Sequence, residues 1–166
     1  IRRYFKEQLR VEDLPDLERG LNAALAVEIP ERVKRRAREV AIDLHDRPYY
    51  GKVAQEEGLW VRGQAKDGTT RFYRVATAYV MVKHLRVTLA VRFVLPDEDI
   101  VPVLEDLLNR LKTLGNRVAR LFLDRGFDGI AVMDYLTRRK QPALIACTIR
   151  GKTGGTRALC RGRRSY

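Results

Sequence analysis

A chain of 166 residues, 45% hydrophobic and 33% charged, has the composition of a folded globular protein and the length for one well-buried core, not for two comfortable domains. No apolar run approaches the roughly 20 residues of a bilayer-spanning helix and no signal-peptide pattern opens the chain, so a soluble, cytoplasmic protein with no membrane partner is expected. The net charge of +12 is unevenly spread: residues 1 to 134 hold 24 Lys and Arg against all 21 acids, whereas residues 135 to 166 hold 9 basic residues and no acid.

A basic segment of that kind attracts phosphate polyanions through counterion release, and nucleic acid is its commonest partner. The competing reading is a solvated tail whose charge only aids solubility. The chain begins at Ile1 and ends in this tail without a closing element, which reads as a piece of a longer protein. Cys147 and Cys160 have no partners at metal-ligand spacing and read as reduced thiols.

In chain order, Leu14, Leu17, Leu21, Ala24 and Leu25 share one helical face, so a helix is predicted from Asp13, as its N-cap, to about Val27, before Pro30. A basic stretch, Glu31 to Arg38, leads into Val40-Ala41-Ile42-Asp43-Leu44-His45-Asp46, an apolar run with one acid in its middle. As a strand it places Val40, Ile42 and Leu44 on one face and Ala41, Asp43 and His45 on the other. An isolated carboxylate is costly to bury there and persists when something pairs with it, often a cation. The alternative for Asp43 is a salt-bridged structural acid.

Beyond Gly51, Trp60 and Val61 are the strong anchors of a polar region, and Lys66-Asp67-Gly68-Thr69 is a turn. Phe72 to Val82 and Val87 to Leu95 are β-rich runs whose short link permits only an antiparallel hairpin. Asp97 or Asp99 can cap a helix carrying Ile100, Val103, Leu104, Leu107, Leu108, Leu111 and Leu114, which ends at Gly115. Val118 to Leu123 follows as a buried strand ending in Asp124-Arg125-Gly126. Asp128 can cap a helix to about Lys140 with Ile130, Met133 and Leu136 as its apolar side, and Ala143 to Ile149 reads as a last strand.

The order is three antiparallel strands, then helix, strand, helix, strand, with the last two strands joined in parallel through helical crossovers. It is the element order of the ribonuclease H-like α/β mixed sheet. By that analogy the first strand is central and the strand after the first core helix lies beside it, which brings Asp43 next to Asp124. Residues 1–36 then form an N-terminal helical segment, 37–150 the core and 151–166 the basic tail.

Three motifs carry a resemblance: Ala41-Ile42-Asp43-Leu44-His45-Asp46-Arg47-Pro48-Tyr49-Tyr50-Gly51, the turn at 63–69, and Leu121-Phe122-Leu123-Asp124-Arg125-Gly126-Phe127. Together they resemble the catalytic domain of insertion-sequence transposases of the DDE class, in the subgroup with a β-rich insertion, over roughly residues 38 to 155. The resemblance implies DNA cleavage and strand transfer by two Mg²⁺ or Mn²⁺ ions held by three carboxylates, with Asp43 matching the first and Asp124 the second. It implies DNA as partner, both the element's terminal repeats and the target, and admits a homodimer in the active complex. The third acid of the family is not matched after Asp124, so the core reads as incomplete, stopping where the insertion would begin, and inactive alone.

Arg125, Arg150, Lys152 and Arg157 are candidate contacts to the DNA backbone. Tyr49, Tyr50 and Trp60 suit either base stacking or packing at the sheet rim. His45 reads as a core histidine and Asp46 as a turn residue. Arg150-Gly151-Lys152-Thr153 contains Gly-Lys-Thr, but Ala146 stands where a phosphate-binding loop needs glycine, and nucleotide binding there is rejected. The remaining alternative for the whole chain is a non-catalytic basic module that binds nucleic acid and whose acids are structural.

Overall fold

The computed structural model describes residues 10–34, 37–51, 58–149, 153 and 157. Helix α1 (Leu14–Glu28) is followed by strands β1 (Ala37–Pro48), β2 (Val61–Lys66), β3 (Thr69–Val82) and β4 (Leu85–Val94). Helix α2 (Ile100–Thr113), β5 (Arg117–Leu123), helix α3 (Ile130–Arg138) and β6 (Ala143–Ile145) complete the order. The fold is mixed α/β, and no helix among the described residues is long and apolar enough to cross a membrane.

All six strands form one sheet in which β1 is interior. On one side β1 pairs antiparallel with β3, Asp43 opposite Thr77 and Asp46 opposite Arg74. On the other it pairs parallel with β5, Ile42 level with Leu123, and β5 in turn pairs parallel with β6. Phe72 of β3 has Pro48 on one side and Val61 on the other, while Arg74 has Asp46 and Val94. β2 and β4 therefore share the outer edge of β3, end to end.

The period of two sorts the side chains into two unlike faces. Val40, Ile42, Ala76, Ala78, Leu121 and Leu123 are buried beneath α2 and α3, whose Val103, Leu104, Leu107, Leu111, Val132 and Leu136 complete one apolar core with Phe127. Complete burial of such side chains stabilises by about 1.5–3 kcal/mol each, so this face is the main source of stability. On the opposite face Asp43 and His45 are only half-buried, and Phe122 and Leu144 are exposed.

Helix α1 closes the exposed edge of β4. The Asn22 side-chain amide donates to the Val91 carbonyl (2.9 Å) and accepts from the Val91 N–H (3.0 Å), while the Phe93 N–H donates to Glu18 (2.8 Å). Two residues one helical turn apart thus satisfy backbone groups that an edge strand would otherwise leave open to another chain.

Several predicted details are corrected. Asp13 does not cap α1; its carboxylate accepts the Arg10 N–H in a preceding 3₁₀ turn. The turn near Asp67 joins two strands, so β2 is an additional strand. Asp67 and Gly68 both have positive φ (52° and 78°), the backbone of a two-residue hairpin that favours Asp-Gly. β2 lacks an apolar alternation because its last three residues lie exposed at the edge of the sheet. Asp99 stands at the start of α2 without a capping bond. Gly129, not Asp128, precedes α3, and the Asp128 carboxylate accepts the Thr148 N–H instead (2.7 Å). The buried side of α3 is Val132 and Leu136; Ile130 is 87% exposed and Met133 is also exposed. β6 stops at Ile145, short of the expected Ile149.

Candidate active site

Asp43 lies in the middle of β1, and Asp124 follows the last residue of β5, the next parallel strand. The level pair Ile42–Leu123 sets the residues that follow them, Asp43 and Asp124, side by side. The Asp124 N–H donates to the Ile42 carbonyl (3.4 Å), and the Leu44 N–H donates to Asp124 Oδ2 (3.2 Å). The two carboxyls lie close enough to act on one another. Burial pushes the Asp124 carboxyl above its ordinary value of 3.8, and the Asp43 carboxyl pushes it the same way; the backbone N–H groups of Leu44 and Gly126 oppose both. Two acidic side chains thus meet where the parallel pairing of β1 with β5 ends.

Local sequence explains how Asp124 is held. Arg125–Phe127 form a 3₁₀ turn, and the Gly126 N–H donates to Asp124 Oδ1 (2.9 Å). A Cβ on Gly126 would stand 2.4 Å from Leu44 Cδ1 and 3.1 Å from Asp124 Oδ1, so a larger residue here requires the Leu44 side chain to move. Phe127 is buried in the core and anchors the turn from below.

Asp46, predicted to be a turn residue, is within β1 and belongs to an ion pair. Arg74, directly across the ladder, donates from Nε (2.7 Å) and Nη2 (2.9 Å) to its two carboxylate oxygens. That bond raises the Arg74 pKa, which burial lowers and the charge of nearby Asp124 raises further. Asp46, Arg74, Asp124, Leu44 and Trp60 line one open cleft of about 820 Å³. Arg74 was not legible as a site residue, because naming it requires the β1–β3 register.

On the other face His45 Nε2 lies 3.0 Å from Thr77 Oγ1, 3.1 Å from Arg86 Nη2 and 3.6 Å from Asp43 Oδ2. An arginine can only donate, so in its contact with Arg86 the Nε2 atom accepts.

Asp128 is engaged with Thr148, and Asp134 pairs with Arg138 (2.9 Å) on the exposed side of α3, so neither joins Asp43 and Asp124. Among the described residues no group of three His, Cys, Asp or Glu is arranged to hold a metal. Two carboxylates offer the hard oxygens that Mg²⁺ and Mn²⁺ take, and the like-charge pair favours a cation between them. The donor set therefore fits part of such a centre.

Arg125 is exposed on the 3₁₀ turn beside Asp124, and Arg157 is exposed. Arg150 and Lys152 lie outside the described residues, as does Cys160, whereas Cys147 is exposed. Tyr49 and Trp60 are buried and stacked on one another (6.4 Å between centroids), with Arg71 above the indole at 5.1 Å, which assigns them to the sheet rim. Tyr50 is exposed and donates its hydroxyl to the Asp67 carbonyl (2.7 Å).

No protein-family model matches this chain, and no curated protein matches it. Among solved structures, the cryo-EM structure of a piggyBac transposase synaptic complex with hairpin DNA is similar at 14% identity and a TM-score of 0.43, covering 77% of this chain and 26% of that one. The chain thus spans about a quarter of that protein's length. A likeness of that size does not fix a family, and the geometry of the site is left to carry the functional reading.

Proposed function

We propose that this chain is the core of a metal-dependent enzyme acting on DNA phosphodiesters, a DDE-class transposase with a ribonuclease H-like sheet, in which Asp43 and Asp124 hold the metal. The observation that supports it is the meeting of these two acids. The one acid inside the apolar β1 run is brought against the acid ending β5, at the carboxyl end of the central parallel pair, with no base between them. Structural acids are normally matched by cations, and a partly buried like-charge pair is a mark of a functional site.

When bound there, a divalent ion supplies Lewis acidity toward a phosphate oxygen and lowers the pKa of a coordinated water. The chain's own residues supply the frame. The Leu44 and Gly126 N–H groups orient the Asp124 carboxylate, β1 fixes Asp43 beside it, and the Asp46–Arg74 pair closes the neighbouring cleft wall. Strand cleavage and transfer belong, in this reading, to a protein in which a third carboxylate joins the pair; these 166 residues bind metal and DNA without cutting. Arg125, Arg150, Lys152 and Arg157 are proposed as backbone contacts to that DNA.

A second reading draws on the two backbone hydrogen bonds of Asp124, which also suit an acid that merely stabilises a turn. In it the chain is a basic nucleic-acid-binding module with structural acids. Thermal melts with Mn²⁺ separate the two. Saturating Mn²⁺ should raise the melting temperature of the wild-type chain by a few degrees, as expected from about 1 kcal/mol of binding linkage. Asp43→Asn and Asp124→Asn should each lose that rise; an equal rise in all three proteins would leave the acids without a metal role.

A further inference from the structure

The face of the sheet away from α2 and α3 carries an arginine held in place without a counter-charge. Arg86, at the start of β4, reaches across β3 with its guanidinium 3.7 Å from the centre of the Tyr79 ring. Its Nη2 donates to Thr77 Oγ1 (2.9 Å) and to His45 Nε2 (3.1 Å). Three arginines that donate to side chains elsewhere in this fold meet carboxylates: Arg74 with Asp46, Arg92 with Glu98 and Asp106, Arg110 with Glu18. Among the described residues no carboxylate lies within ion-pair distance of Arg86, and its Nε and Nη1 make no hydrogen bond.

Ordering a long arginine side chain on an exposed face costs rotamer freedom. Stacking on Tyr79 and two neutral acceptors offset part of that, and the result is a pre-organised cation with open donors. His45 links it to the acidic pair: the same Nε2 that accepts from Arg86 is 3.6 Å from Asp43 Oδ2. A polyanion approaching Asp43 and Asp124 on this face meets repulsion, and Arg86 is the cation positioned to offset it.

We propose that Arg86 binds a backbone phosphate of the DNA strand that enters the Asp43–Asp124 site, with Tyr79, Thr77 and His45 positioning its guanidinium. The planar fork of an arginine suits a phosphate's paired oxygens, and stacking on Tyr79 fixes the plane of that fork before the strand arrives. This rests on the reading of the site as one that handles DNA phosphates.

The test is duplex DNA binding by the full chain, followed by fluorescence anisotropy over a salt series without divalent metal. Arg86→Gln should weaken binding about tenfold and lower the slope of log K against log salt by about one, the loss of one phosphate contact. Arg86→Lys, which keeps the charge, should retain the slope, and Arg138→Gln, on the helical side of the sheet, should bind as wild type. An unchanged slope in Arg86→Gln overturns the proposal, and so does a wild-type chain that does not bind. Should Arg86→Gln fail to fold, the wild-type protein still decides: the Arg86 Nε–H resonance must shift when the duplex is added, and a stationary resonance overturns the proposal. A changed slope together with Mn²⁺ stabilisation that survives Asp43→Asn would keep the Arg86 contact and discard the metal reading; the reverse pair of results would do the opposite.

Discussion

Two clusters of charge sit on this sheet, and they are built on opposite principles. At the β4 edge Glu18, Glu98 and Asp106 surround Arg92 and Arg110: Arg92 bonds Glu98 at 2.6 Å and Asp106 at 3.0 Å, and Arg110 bonds Glu18. Where the β1–β5 pairing ends, Asp43 and Asp124 face one another, and Arg74, whose guanidinium feels the Asp124 charge, is committed to Asp46. The first cluster is nearly neutral and ties α1, β4 and α2 together. The second holds like charges together in a half-buried place, which a fold does not do for stability. The contrast separates charges that build the structure from charges that await a ligand.

That contrast predicts a ranked set of responses. Glu18 is 6% exposed and serves Arg110 and the Phe93 N–H, so Glu18→Ala strands one cation and a backbone donor, while Arg92 keeps Glu98 and Asp106. It should cost about 3–5 kcal/mol in urea melts, a large share of a domain's stability. Gly126→Ala sets a methyl against Leu44 Cδ1, the mobile end of a half-buried side chain, and should cost about 1 kcal/mol, with a small displacement of the Asp124 carboxylate. Asp43→Asn should do the reverse of Glu18→Ala on a smaller scale. By removing one of two like charges it should leave the metal-free chain as stable as wild type or more stable, by about 1 kcal/mol at most.

The pH dependence follows from the same pair. The folded state holds the Asp124 proton more tightly than the unfolded chain does, because its folded pKa is raised above 3.8. Its contribution to stability is therefore fully present below 3.8 and lost as pH rises through the raised folded value, the opposite of a salt-bridged aspartate. Asp43→Asn should shrink that loss without abolishing it, since burial remains as the first cause. Carboxyl ¹³C titration of Asp124 in the two proteins checks this directly.

What the sequence reveals and hides follows from the range of the interactions. Helix α2 is legible because its leucines repeat at helical spacing and pack on a single core. The oddity of Asp43 is legible because a charge in an apolar alternation is a local signal. Its meeting with Asp124 is not local; it depends on β5 lying beside β1, which only the order of elements suggested. The α3 face was misjudged because Ile130 and Met133 look apolar at the right spacing, whereas the helix turns Val132 and Leu136 to the core. β2 escaped because the exposed edge of a sheet demands little of its side chains; the Asp-Gly pair, read as a hairpin, was its available signal. Glu18 and Asn22 carry no local signal of their roles, since their strand partners lie about 70 residues away.

The most direct measurement is Mn²⁺ added in small amounts to the isotope-labelled chain, read as paramagnetic broadening of backbone amides. The account predicts that broadening centres on Asp43, Leu44 and Asp124 to Gly126, spares the amides around Glu18 and Asp106, and disappears in Asp43→Asn. Broadening centred on the Glu98–Asp106 cluster, or unchanged in Asp43→Asn, would contradict it.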